Sequence, residues 1–210
     1  MGNAMATRVE SMVEGLTPGY FALVMATGII SLGFLLVGRP TLSQALFIVT
    51  VAAYALLCCL NLWRFIRFRH AMASDFRDTK RAFGFFTFVA GTNVVGARAA
   101  ASGLFHVSAV LLAVSVVVWI ILGYVIPWSA VLGQEQRPVV ALANGTWFIW
   151  VVASQSVAVS AATLEVWVDT GRGYLAILAV FSWSVGVPVR GIRHDRHPAD
   201  HAVPARSRRV

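Results

Sequence analysis

The sequence predicts an all-α, polytopic transmembrane helix bundle. Of its 210 residues, 58% are hydrophobic and only 12% are charged, whereas about a quarter of the residues in a typical soluble domain are charged. The nine acidic residues all lie outside the long apolar stretches, as the cost of burying charge in hydrocarbon requires. Because these stretches are long enough to cross a bilayer of about 30 Å as helices, the composition indicates an integral membrane protein.

The candidate spans follow one another with short connections. Segment 1–17 has mixed charge rather than the basic start of a signal peptide, so we expect it to be a cytoplasmic segment before a retained first helix. Pro188 and Arg190 interrupt the last span, which is therefore short. We predict one transmembrane domain, 18–187, with helices at about 18–37, 42–63, 82–101, 107–127, 139–162 and 173–187.

Residues 188–210 change abruptly to a polar, arginine-rich composition. A disordered basic tail would have this composition. The break falls inside a span, however, where the loss of further helices would leave polar faces exposed to lipid. We therefore expect the tail to result from a frameshift or a premature end.

Lysine and arginine are distributed unevenly between the two sides of the predicted bundle. With a cytoplasmic N-terminus, the outside loops hold only Arg39 and Arg172, and the inside segments hold the other basic residues apart from Arg98, which lies within the third span. This asymmetry predicts a multi-pass protein of the plasma or inner membrane with its N-terminus inside. It also explains the net charge of +8 without a nucleic-acid partner. The basic stretch 64–81 can additionally contact anionic membrane lipids.

Small and polar residues recur on the first, third and fifth spans, whereas the fourth span is almost uniformly apolar and the second is nearly so. A rotation of about 100° per residue places these residues on common helix faces. In a pore, such faces replace part of an anion's hydration without holding the anion too tightly. The pore-lining candidates are Thr27, Gly28 and Ser31 on the first span, Thr87, Gly91 and Arg98 on the third, and Asn144, Gly145, Gln155 and Ser156 on the fifth.

Each candidate also has a simpler interpretation. Small residues let membrane helices approach closely, and hydroxyl or amide side chains bond to one another across helix interfaces. Taken singly, Thr27, Gly28, Ser31 and Gly91 are explained better by packing than by substrate contact. Arg98 lies near the outer end of its span, where it can either contact a substrate or extend to the headgroups. The sequence leaves both roles open for Arg98.

The predicted spans contain no Asp, Glu or His. An enzyme would need such a residue as a general base or metal ligand, and a cation pump would need carboxylates within the membrane. The sequence therefore argues against both classes, and it indicates neither a metal site nor another cofactor.

Three segments resemble, in the right order, the first, third and fifth helices of the tellurite-resistance/dicarboxylate transporter family. They are PGYFALVMATGIIS (18–31), FTFVAGTNVVGAR (86–98) and NGTWFIWVVASQSVAV (144–159), and the resemblance covers about residues 15–187. The family includes bacterial tellurite-resistance permeases, fungal malate permeases and sulfite exporters, and plant guard-cell slow anion channels.

The resemblance implies a fold of ten helices in five hairpins, whose odd helices line a central pore and whose even helices form an outer ring. This chain would supply about six of the ten, without the ninth helix and its phenylalanine gate. The implied function is a transporter or channel for small anions such as C4-dicarboxylates, tellurite or sulfite. The implied assembly is a homo-oligomer, a trimer by resemblance. The alternative is a truncated membrane remnant or assembly subunit that does not transport.

Overall fold

The computed structural model describes residues 2–132, 147–168 and 172–186, and these residues form helices joined by short turns with no strand among them. This confirms the predicted all-α fold class. Two 3-10 turns, Pro18–Tyr20 and Phe83–Phe85, lead into α2 and α6. The helices are α1 Gly2–Glu14, α2 Phe21–Leu36, α3 Pro40–Arg67, α4 Arg69–Arg77, α5 Thr79–Ala82, α6 Phe86–Ala100, α7 Phe105–Leu132, α8 Trp147–Glu165 and α9 Arg172–Gly186.

The six predicted spans overlap α2, α3, α6, α7, α8 and α9 in turn. The first part of the predicted fifth span, together with Asn144 and Gly145, lies outside the described residues, as does the tail 188–210. The predicted N-terminal segment contains α1, and the basic stretch between α3 and α6 contains the short helices α4 and α5.

Four helices in the described part of the chain are long and apolar enough to cross a membrane: Pro18–Leu36, Pro40–Arg67, Phe105–Ile126 and Phe148–Glu165. α6 and α9 have 15 residues each, about 22 Å of helix at 1.5 Å per residue. α6 is nevertheless central, because most of its residues are buried.

The long helices pack as consecutive hairpins. α2 packs on α3, α6 on α7, and α8 on α9, while α6 also contacts α2 and α8. A hydrophobic cluster around Phe86 and Val89 joins α6 to α7 and α8. The outer helices α3 and α7 expose large apolar side chains such as Ile48 and Ile120, as lipid-facing helices do. The arrangement is an inner row, α2–α6–α8, with α3, α7 and α9 packed against it.

The first two hairpins turn in the same way. Gly38 and Gly103 have φ values of 72° and 81°, a conformation that glycine adopts without strain. After α2, the N–H of Arg39 donates to the carbonyl of Phe34 at 2.8 Å; after α6, the N–H of Leu104 donates to the carbonyl of Ala99 at 3.0 Å. Both are Schellman turns, which satisfy the last carbonyls of a helix and reverse the chain.

Candidate functional site

Arg98 lies buried between α2, α3 and α6, with 3% of its surface exposed. Its Nε–H donates to the Oγ atoms of Ser31 at 3.2 Å and Ser43 at 3.1 Å. Its Nη1 donates to the hydroxyl of Ser102, and its Cζ lies 4.8 Å from the centre of the Phe47 ring. The guanidinium is therefore inside the bundle rather than extended to the surface of the chain.

The oxygens around Arg98 are neutral. Each serine hydroxyl donates to the other's carbonyl at 2.7 Å, Ser31 to Ser43 and Ser43 to Ser31. Because both hydroxyl protons are used in this way, both Oγ atoms are free to accept from the arginine. Among the described residues, no carboxylate forms an ion pair with Arg98. The positive charge is thus solvated by hydroxyls and an aromatic face but is not neutralised.

The other candidates on α2 face the neighbouring helices. Thr27 accepts a hydrogen bond from the Thr50 hydroxyl at 3.1 Å and donates to the carbonyl of Leu23 at 2.8 Å. Gly28 is packed so tightly that a Cβ atom there would lie 2.5 Å from Cγ1 of Val94 and 3.3 Å from Cγ2 of Thr50. Both residues contribute to close packing of α2 on α3 and α6.

Thr87 and Gly91 join the start of α6 to the start of α2. The Thr87 hydroxyl donates to the carbonyl of Pro18 at 2.9 Å. A Cβ atom on Gly91 would be 3.5 Å from the carbonyl oxygen of Phe21 and 3.6 Å from Val24, which is ordinary contact. The 3-10 turn before α2 is thereby fixed against α6.

Ser156 is linked to a polar centre on α6, and Gln155 to α9. The Asn93 amide donates to the Ser156 hydroxyl at 3.1 Å. Nε2 of Gln155 donates to the carbonyl of Trp183 at 3.1 Å, which lies in the last turn of α9 where carbonyls lack helical partners. The structure therefore brings Arg98 and Ser31 together, and it separates both from Gln155 and Ser156.

Asn93 is the polar residue that the sequence interpretation missed. It is 1% exposed, its Oδ1 accepts from the Ser115 hydroxyl at 2.8 Å, and its carbonyl accepts from Ser160 at 3.2 Å. With Ser156, these bonds tie α6 to α7 and α8. An amide inside a predicted span, five residues before Arg98, was the available signal. Ser43 gave no comparable signal, because it lies at the start of a helix that the composition assigns to the outside.

A cleft of about 350 Å³ lies between α2, α6 and α8, near the end of the bundle that carries the turns after α2 and α6. Leu32, Ala97, Ala101 and Val159 make its wall largely apolar, and Thr163 adds a hydroxyl. Ala97 and Ala101 flank Arg98 in the sequence, but the arginine side chain turns away towards Ser43 of α3. The cleft is thus an apolar space, and the buried cation lies on an adjacent face of α6.

The candidate side chains described above carry one charge, that of Arg98. In the part of the chain that the structure describes, no group of three or more histidine, cysteine or carboxylate side chains is placed to hold a metal ion. The polar atoms described above are hydroxyls, amides and one guanidinium, which hydrogen-bond but do not supply a general base.

Hairpins packed around a central buried helix and apolar outer helices define a polytopic α-helical membrane protein. Residues 15–192 match the family model described as voltage-dependent anion channel, and the chain belongs to this family. The match confirms the resemblance to tellurite-resistance/dicarboxylate transporters. Members are channels or transporters, so membership implies an anionic substrate and a membrane setting. Neither the comparison with curated proteins nor that with solved structures gave a match.

Proposed function

We propose that the chain forms part of a path by which small anions cross the plasma or inner membrane, along the cleft between α2, α6 and α8. The substrate class is small oxyanions and carboxylates, such as C4-dicarboxylates, tellurite or sulfite. The observation that carries the proposal is Arg98, a buried cation with neutral partners on the face of α6 next to the cleft.

Arg98 favours anions in the cleft by acting at a distance. The guanidinium turns away from the cleft towards α3, and one helix diameter, about 10 Å, is taken as their spacing. At that distance and an effective dielectric constant of about 20, unit charges of opposite sign attract by about 2 kcal/mol. This attraction offsets part of the dehydration of an anion.

The same placement explains how an anion would leave again. A guanidinium in the cleft would hold a carboxylate or oxyanion by paired hydrogen bonds. Because the cation lies outside the cleft, an anion in the cleft contacts small apolar side chains and the Thr163 hydroxyl. These groups do not bind it tightly. Conduction requires such weak, non-specific contact.

The path belongs, in this proposal, to a homo-oligomer with a cytoplasmic N-terminus, and the family resemblance suggests a trimer. The alternative function is that of a non-transporting assembly subunit. The hydrogen bonds of Asn93 and Gln155 to neighbouring helices favour this alternative, because they are examples of polar groups that serve helix packing. Anion flux separates the two functions.

The test is efflux of labelled malate, sulfite or tellurite from vesicles that contain the 210-residue protein, compared with empty vesicles. We expect flux above background, reduced about 30-fold by Arg98→Gln, because loss of the charge removes an attraction of about 2 kcal/mol. Arg98→Lys keeps the charge and should retain most of the flux. Absence of flux from the intact, monodisperse protein would favour the assembly subunit. Equal loss in both folded variants would assign Arg98 a packing role.

The cleft itself is tested by cysteine accessibility in a background that lacks Cys58 and Cys59. Cysteines at Val159 and Thr163, which line the cleft, should react with a charged, membrane-impermeant thiol reagent. Cysteines at Val117 and Ile121, which are exposed on the outer helix α7, should not react, because lipid excludes the reagent. Equal reactivity of the two pairs would contradict an aqueous path along the cleft.

A further inference from the structure

A second cavity opens on the outer side of the bundle, away from the cleft. It has a volume of about 770 Å³ and is bordered by the second half of α3, by α4, by the starts of α2 and α6, and by α7. Aromatic and aliphatic side chains dominate its walls, among them Phe65, Phe76, Phe88 and Leu122. Phe65 on α3 is 55% exposed, so the cavity is a groove that opens towards the surroundings of the bundle.

The groove runs from the membrane surface into the hydrocarbon. α3 has 28 residues, or about 42 Å of helix, which exceeds the roughly 30 Å of the hydrocarbon core. Its last turns therefore reach the headgroup layer. Cys58, which lines the inner end of the groove, lies about 14 Å along the helix from Arg67. An acyl chain entering from the headgroup layer would follow this direction.

The mouth of the groove carries positive charge. Among the described residues that line it, Arg69 is the one with a charge, and its side chain is exposed. Asp75 on the same short helix is buried against Arg64 at 2.7 Å and against Arg81 at 2.7 Å. That carboxylate is thus committed to two other arginines and does not neutralise Arg69. Asn61 also lines the groove, but its amide nitrogen donates to the carbonyl of Leu57 at 2.8 Å.

We propose that this groove binds one anionic phospholipid, with the lipid phosphate at Arg69 and one acyl chain along Phe65, Phe76 and Phe88. A guanidinium forms paired hydrogen bonds with phosphate oxygens, and the apolar walls replace contacts that the chain would make with other lipids. The neighbouring exposed residue Arg67 adds to the positive potential at the same depth. A free anion would bind the arginine without contacting the apolar groove, whereas a phospholipid contacts both.

The test uses the full chain in vesicles of phosphatidylcholine and phosphatidylglycerol, three to one, with identical acyl chains. After mild detergent extraction, native mass spectrometry counts the lipids that remain on the protein. We expect one retained phosphatidylglycerol, enriched over its share of the vesicle. Arg69→Gln should reduce that enrichment about fivefold, the effect expected for one basic residue near a membrane surface. Ala73→Trp, which places a large side chain in the groove, should reduce retention of both lipids.

Arg77→Gln is the matched control, because Arg77 is exposed on the same helix but does not line the groove. It should behave like the unchanged protein. Equal enrichment in the unchanged protein and Arg69→Gln would overturn the assignment of the phosphate. Retention unaffected by both Arg69→Gln and Ala73→Trp would overturn the groove as the site. Recovery of lipid-free dimers that Ala73→Trp dissociates would instead make a second copy of the chain the occupant.

Discussion

Ser31 and Ser43 show how single polar residues are accommodated in this apolar bundle. Each hydroxyl donates to a carbonyl of the opposite helix, and both oxygens accept from Arg98. Thr50 also donates across the same interface, to the hydroxyl of Thr27. In a membrane such bonds contribute about 0.6 to 2 kcal/mol each, so these residues stabilise helix contacts whatever passes along the cleft.

The packing role of Gly28 leads to a first prediction. Gly28→Ala should destabilise the protein by about 1 to 3 kcal/mol, because the new Cβ would lie 2.5 Å from Cγ1 of Val94 and over-pack the interface. The matched control is Gly33→Ala on the same helix, where a Cβ meets nothing within 4 Å. Thermal unfolding in detergent measures the difference. Adding Val94→Ala to Gly28→Ala should restore stability, and equal effects of the two alanines would contradict the steric argument.

At the scale of the secondary-structure elements, α4 ties the chain before α2 to the end of α3. Asp75 on α4 forms ion pairs with Arg64 and with Arg81. These arginines in turn donate to backbone carbonyls at the end of α1 and directly after it, Arg64 to Glu14 at 3.0 Å and Arg81 to Gly15 at 3.4 Å. One buried carboxylate thus connects α1, α3, α4 and the residues before α6.

Removing the charge of Asp75 gives a second prediction. Asp75→Asn leaves Arg64, which is 1% exposed, buried without a counter-charge, and should destabilise the protein by about 3 kcal/mol. Trypsin should then cleave faster at Arg8 in α1, because Arg64 and Arg81 would no longer be held in place to bond the carbonyls at the end of α1. The double variant Asp75→Asn/Arg64→Met removes both charges and should recover part of the stability. Unchanged unfolding and cleavage in Asp75→Asn would show that the ion pairs contribute little.

The sequence predicted the long helices but not the ion pairs that connect the elements between them. Long apolar runs mark α2, α3, α6 and α7, because the length of an apolar stretch is a local property of the sequence. The Asp75 ion pairs could not be predicted, since they depend on how the chain folds back after Phe68. The stretch 64–81 was interpreted by charge alone, which does not reveal that Arg64 is buried.

In the candidate site, too, some features could be predicted from the sequence and others could not. Arg98 was identified because a charge inside a predicted span is unusual, and Asn93 was missed although it has the same kind of signal. The neighbouring helix that a polar face contacts is set by the tertiary fold, so the local sequence does not predict it. Gln155 shares a predicted face with Asn144, yet its amide contacts the carbonyl of Trp183 on α9. The pore-lining role of the ten candidates stays a prediction, and the proposed flux measurement tests it for Arg98.

For the whole molecule, the two ends of the bundle differ in charge. One end carries α1, α4 and α5 with the basic stretch 64–81, and the other carries the turns at Gly38 and Gly103. The cleft is at the second end, since Leu32, Gly103 and Trp167 all line it. If positive charge sets orientation, the cleft opens on the outer side of the membrane.

This orientation is the third prediction. A reporter inserted between residues 77 and 79 should be cytoplasmic, and one inserted between residues 168 and 172 should be exported, because short loops rich in lysine and arginine stay inside. Paired alkaline phosphatase and green fluorescent protein fusions give opposite signals at each position. The reverse pattern would place the cleft on the cytoplasmic side and require another explanation for the basic stretch.

The reciprocal bonds between Ser31 and Ser43 also bear on how the protein is made. The ribosome completes α2 and α3 before it adds α6, so the first hairpin enters the membrane while Arg98 is still unsynthesised. Because each serine already satisfies the other, the hairpin is stable in lipid at that stage, and its two hydroxyl oxygens form a ready acceptor for a cation. When α6 leaves the translocon, its arginine can exchange water for these oxygens without crossing bare hydrocarbon. We therefore expect the order of translation to assist the insertion of α6, because the charge of Arg98 would otherwise oppose its insertion.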